Sequence, residues 1–96
     1  MPRDRTRLAD AEVQAFVNKA PGWALDAGML KKTFAFADFR AAMAFVNRVA
    51  DAAEAADHHP DIDIRYGKVT LGLSTHDAGG ITVRDTALAT VVDRFA

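Results

Sequence analysis

The chain has 96 residues, half of them apolar, with no cysteine and 12 Lys+Arg set against 13 Asp+Glu for a formal charge of -1. That size supports one modest hydrophobic core without disulfides or metal, to which self-association would add. The balanced charge argues against electrostatic capture of nucleic acid or of an acidic membrane, and the lack of cysteine excludes thiol chemistry and Cys-ligated zinc. No apolar run approaches a membrane span of ~20 residues and no hydrophobic signal region follows the N-terminus, which gives a cytoplasmic reading. Residues 1–9 read as a solvated N-terminal tail and residues 10–96 as a single domain.

Asp10 is placed to cap a first helix whose Val13, Phe16, Val17 and Ala20 share one face, and Pro21-Gly22 ends it. Trp23 to Asp26 and Met29 to Phe36 read as a β-hairpin around Ala27-Gly28, with Leu30, Phe34 and Phe36 on one face of the second strand. Asp38 then caps a long helix in which Phe39, Ala42, Met43, Val46, Val49, Ala50 and Ala53 recur at helical spacing. This helix must stop near Asp57-His58, because Pro60 pushes His59 towards extended geometry. Ile62, Ile64 and Tyr66 alternate with Asp63 and Arg65, Gly67-Lys68 can turn, and Val69, Leu71 and Leu73 alternate with Thr70, Gly72 and Ser74, which predicts a second hairpin. Residues 75–80 have loop composition, and Thr82 caps a last helix with Leu88, Val91, Val92 and Phe95 in one stripe. The order is therefore α-β-β-α-β-β-α, an α+β fold in which a four-stranded antiparallel sheet carries three helices on one face.

The chemistry-bearing feature is the clustering of His58, His59 and His76. The strand ending before His76 returns alongside the strand that starts after Pro60, so His76 comes back near His58-His59. Adjacent residues in extended chain point apart, so one member of the pair faces His76 and the other flanks it. Imidazoles give and take protons at neutral pH, and two of them facing one another suit an acid–base elimination. Glu54 stands one helical turn before His58 and is placed to hold its ring. No His-x-x-x-His or cysteine pair supplies a local chelate, so the reading includes no metal. Asp85 also has a purely structural explanation, since Thr82-Val83-Arg84-Asp85 approximates a capping box.

Taken together, Glu54-x-x-x-His58-His59-Pro60, Tyr66, His76 and Asp85 in their spacing resemble the signature of the pterin-4a-carbinolamine dehydratase family. The resemblance extends to Phe34-x-Phe36-x-Asp38-Phe39, Val46-x-Arg48-Val49 and Thr75-His76-x-x-Gly79-Gly80, and so covers almost the whole chain beyond the tail. It implies the α+β fold already read from periodicity. It also implies dehydration of 4a-hydroxytetrahydropterin to quinonoid dihydropterin and water, the recycling step that follows an aromatic amino acid hydroxylase. By that resemblance His58 and His76 are the acid–base pair, His59 binds substrate and assists, and Glu54 and Asp85 are orienting carboxylates. Asp57, Pro60, Ser74, Thr75, Asp77 and Arg84 join the histidines as the substrate-binding wall. The pterin is substrate, so no cofactor is implied, and the expected assembly is a homodimer or homotetramer. Two positions depart from the pattern: Ile62 stands where many members have an aromatic residue, and Val83 replaces a polar one. The competing function is a non-catalytic coactivator or assembly protein on the same fold, which would have no need of all three histidines.

Overall fold

A computed structural model describes residues 4–96; the first three residues of the expected tail lie outside that range. The elements are α1 (Asp10–Lys19), β1 (Ala24–Asp26), β2 (Met29–Ala35), α2 (Phe39–Ala56), β3 (Asp61–Arg65), β4 (Lys68–Leu73), a 3₁₀ turn at His76–Ala78 and α3 (Val83–Asp93). The four strands form one antiparallel sheet in the order β1-β2-β4-β3. The expected α+β architecture and element order are both present.

Local chemistry explains most of the element ends. Ala27 and Gly28 both have positive φ (53° and 79°), the backbone that lets a two-residue loop join β1 to β2 with the right twist. The Asp38 side chain accepts from the Ala41 N–H at 2.8 Å and caps α2. At the other end Asp57 adopts the left-handed conformation (φ 49°) and stops the helix. The first helix starts one residue earlier than read from the sequence: Ala9 holds the cap position, and Glu12 accepts from the Ala9 N–H at 2.9 Å. The β3–β4 turn is Tyr66-Gly67 rather than Gly67-Lys68, since Arg65 pairs with Lys68. A Cβ at Gly67 would lie 2.7 Å from the Phe36 carbonyl oxygen, so a side chain has no room there.

The core lies between the sheet and the helices. Leu30 and Phe34 of β2, Val69, Leu71 and Leu73 of β4, Ala42, Phe45 and Val49 of α2, and Leu88, Ala89 and Val92 of α3 are all buried in it. Phe45 sits 4.7 Å from Phe34 and 5.0 Å from Phe36 between ring centroids. The α2 stripe read from the sequence is therefore rotated: Phe39 is half exposed, Ala50 is exposed, and Phe45 replaces them in the core. Trp23 is buried, and its indole N–H donates to Asp93, which also pairs with Lys32 at 2.9 Å; this network ties the end of α3 to the sheet edge. β3 is exposed along its whole length, with Ile62 and Ile64 only partly covered and Tyr66 in the turn at solvent. Its alternation is real, yet it is the outer strand beyond β4, and little of the chain covers it.

Candidate active site

The β3–β4 register sets the site. Asp61 pairs with Gly72, so the residues just before β3 lie beside those just after β4. An open cleft of about 360 Å³ forms there, lined by Arg5, Asp57, His58, His59, Ser74, Thr75, His76, Asp77 and Arg84. That volume lies at the lower end of small-molecule sites, which run from ~300 to ~1,000 Å³. All three histidines border it. Among the described residues no group of three or more His, Asp or Glu side chains converges as a metal site.

His58 is buried, and its Nε2 lies 2.5 Å from Asp85 Oδ1. Asp85 is fully buried in the first turn of α3. Its Oδ2 accepts from the Thr75 hydroxyl and from the Thr82 backbone N–H, each at 2.9 Å. The capping box therefore exists as expected, and the same carboxylate reaches across to the histidine with its other oxygen. Because an ionised carboxylate only accepts, the arrangement puts hydrogen on Nε2 of His58 and leaves Nδ1 as the ring nitrogen open to a substrate.

Glu54 does not hold His58, contrary to the sequence reading. Its Oε2 lies 2.5 Å from Nε2 of His59 instead. The i,i+4 relation holds only while the helix continues, and the left-handed turn at Asp57 swings His58 towards α3. Both members of this pair are solvent-exposed, unlike the His58–Asp85 pair. Among the described residues no side-chain hydrogen bond holds the His76 ring, which sits exposed on the 3₁₀ turn.

Arg84 is buried in the cleft wall, and its guanidinium donates to the Asp57 carbonyl at 2.6 Å, pinning the junction that aims His58. Its Nε has no hydrogen-bond partner among the described residues. Pro60, expected in the substrate wall, is half-buried and does not line the cleft; along the extended junction it alternates with His59, which does. Arg5, part of the tail by sequence and given no role there, also lines the cleft. Its Nη1 donates to Asp77 Oδ2 at 2.7 Å, a pairing across 72 positions that no local pattern signals. Upstream, hydrogen bonds from the Thr6 side chain and backbone hold the Asp4 carboxyl below the usual carboxylate range.

A family model described as Pterin 4 alpha carbinolamine dehydratase matches residues 6–95. The chain belongs to that family. A Thermomicrobium roseum protein bearing the family's name is 57% identical over 83 residues, 86% of this chain and 89% of its own length. A Chloroflexus aurantiacus protein of the same name is 53% identical over 89 residues, covering 93% of this chain and 96% of the relative. Among solved structures, a transcriptional coactivator/pterin dehydratase from Brucella melitensis superposes with a TM-score of 0.91 at 30% identity, over 95% of this chain and 99% of that one. A pterin dehydratase-like protein identified as a RuBisCO assembly factor in the alpha-carboxysome aligns at a TM-score of 0.64 and 28% identity, over 77% and 86% of the two chains. Membership in the dehydratase family supports a lyase, and no helix among the described residues is long and apolar enough to cross a membrane.

Proposed function

We propose that this protein dehydrates a 4a-hydroxytetrahydropterin to the quinonoid dihydropterin and water, a redox-neutral step that follows an aromatic amino acid hydroxylase and prepares the pterin for a separate reduction. The observation that carries the reading is one cleft bordered by three histidines, two of them held through Nε2 by carboxylates. In the reaction the C4a–O bond breaks, the leaving oxygen takes up a proton, and N5 gives one up as the C4a–N5 double bond forms. Those two transfers balance, so one acid and one base complete the turnover.

The anchored imidazole is the natural acceptor. With Nε2 committed to Asp85, His58 takes the ring proton on Nδ1, and Asp85 supports the charge that develops. His76, on the 3₁₀ turn at the same cleft and without a carboxylate partner among the described residues, donates to the departing hydroxyl. His59, oriented by Glu54, binds the ring edge together with Asp57, Ser74, Thr75 and Asp77. Arg84 holds the helix end in place. A cysteine-free chain suits the reducing cytoplasm, and the partly exposed Ile62 and Ile64 on the edge strand β3 support a homodimer or homotetramer.

The coactivator and assembly-factor names among the structural neighbours support a second reading as a protein-binding member. Stopped-flow decay of enzymatically generated 4a-hydroxytetrahydropterin separates the two. Wild-type protein is expected to accelerate the decay, and folded His58→Ala and His76→Ala variants to lose about a hundredfold or more each. A folded wild type that leaves the decay unchanged overturns the enzyme reading in favour of the binding one.

A further inference from the structure

The N-terminal segment is tied to the loop that carries His76 at three successive points. Arg5 Nη1 donates to Asp77 Oδ2 at 2.7 Å. The Arg7 side chain crosses Gly80 so closely that a Cβ there would lie 2.8 Å from its Nε. The Leu8 N–H donates to the Ile81 carbonyl at 2.8 Å. The two stretches therefore run side by side in the same direction, and Thr6 N–H to Asp4 Oδ1 at 2.8 Å shapes the start of the segment.

The three histidines differ in what holds them. His58 has Asp85 and His59 has Glu54, each within hydrogen-bonding distance of Nε2. His76 has neither; its place depends on the 3₁₀ turn, closed by Ala78 N–H to Thr75 O at 3.1 Å and Gly79 N–H to His76 O at 3.0 Å. A single turn of that kind is weak by itself. The residue that follows His76 in this turn is the partner of Arg5, and Arg5 also borders the cleft.

We propose that Asp4–Leu8 is a strap that fixes the His76 turn, with Arg5 as a positioning residue acting through Asp77. This rests on the dehydratase reading. The bridge is exposed, with side chains 50% and 61% accessible, so its effect on global stability is small and its effect on the local turn is the measurable one. The contact is a single N–H to oxygen bond, which lysine can also make.

The test compares wild type, Arg5→Ala, Arg5→Lys, Asp77→Ala and the Arg5→Ala/Asp77→Ala double variant. Arg5→Ala is expected to lower kcat/KM by about threefold to fivefold and to speed amide exchange at Ala78 and Gly79, with Tm moving by no more than about 2 °C. Arg5→Lys restores both readouts, high salt lowers wild-type kcat/KM towards the Arg5→Ala value, and Arg5→Ala adds nothing once Asp77 is Ala. Unchanged exchange at Ala78 and Gly79 in Arg5→Ala overturns the strap, and additive losses in the double variant overturn action through Asp77. The exchange measurement needs no turnover, so a wild type without dehydratase activity refutes the reaction and leaves the strap still decided by its own readout.

Discussion

Replacing Asp85 with asparagine isolates its effect on the His58 proton from its effect on the fold. Asp85 serves three buried donors: His58 Nε2–H, the Thr75 hydroxyl and the Thr82 N–H. Truncation to alanine orphans the His58 and Thr82 N–H donors at about 1–3 kcal/mol each, a large share of the roughly 5–15 kcal/mol that holds a small domain together, while the Thr75 hydroxyl keeps Thr82 Oγ1 at 2.9 Å. Activity lost in Asp85→Ala would therefore report unfolding as readily as chemistry. Asparagine behaves differently, because the Thr82 backbone N–H can only donate. The amide oxygen must face Thr82 and Thr75, which turns the Nδ2 group onto His58 Nε2. That ring nitrogen must then accept, the proton moves to Nδ1, and the lone pair assigned to the substrate disappears.

Two of the three contacts survive in Asp85→Asn, so the stability cost is about 1–2 kcal/mol, or a Tm lower by roughly 5–15 °C for a domain of this size. The kcat is expected to fall by about 10²–10⁴-fold, measured by stopped-flow well below the variant's Tm. Nitrogen-15 shifts of the His58 ring should report the exchanged tautomer independently of turnover. A folded Asp85→Asn protein with kcat within about threefold of wild type would refute the assignment of His58 Nδ1 as base.

Two further outcomes follow from burial. Glu54→Gln should lower kcat/KM by no more than about threefold, because the Glu54–His59 pair is solvent-exposed; a loss approaching that of Asp85→Asn in the same assay would reverse the ranking of the two carboxylates. Phe45→Ala should cost about 3–5 kcal/mol in urea denaturation, since the ring is buried against Phe34 and Phe36; a cost below about 1 kcal/mol would show that the other face of α2 carries the core.

The element order, the helix stop near Asp57-His58, the hairpin at Ala27-Gly28 and the grouping of His58, His59 and His76 at one cleft are legible in the sequence, because each follows from local rules. A two-residue period, a proline, a capping side chain and the return of a hairpin act over a few positions and read the same in any context. The burial faces were less legible. Phe39 and Phe45 both fit an apolar stripe on α2, and only the position of the β2 rings selects Phe45. Alternation in β3 implied a covered face, yet its place at the outer edge leaves it open, which depends on the whole sheet order. The carboxylate partners were settled by geometry of the same kind. A left-handed residue of one position at Asp57 turns His58 away from Glu54 and onto Asp85, 27 positions along the chain, and the Arg5–Asp77 contact spans 72. Side-chain pairing across such separations depends on where backbones end in space, to within about an ångström, and no periodicity along one segment encodes that distance.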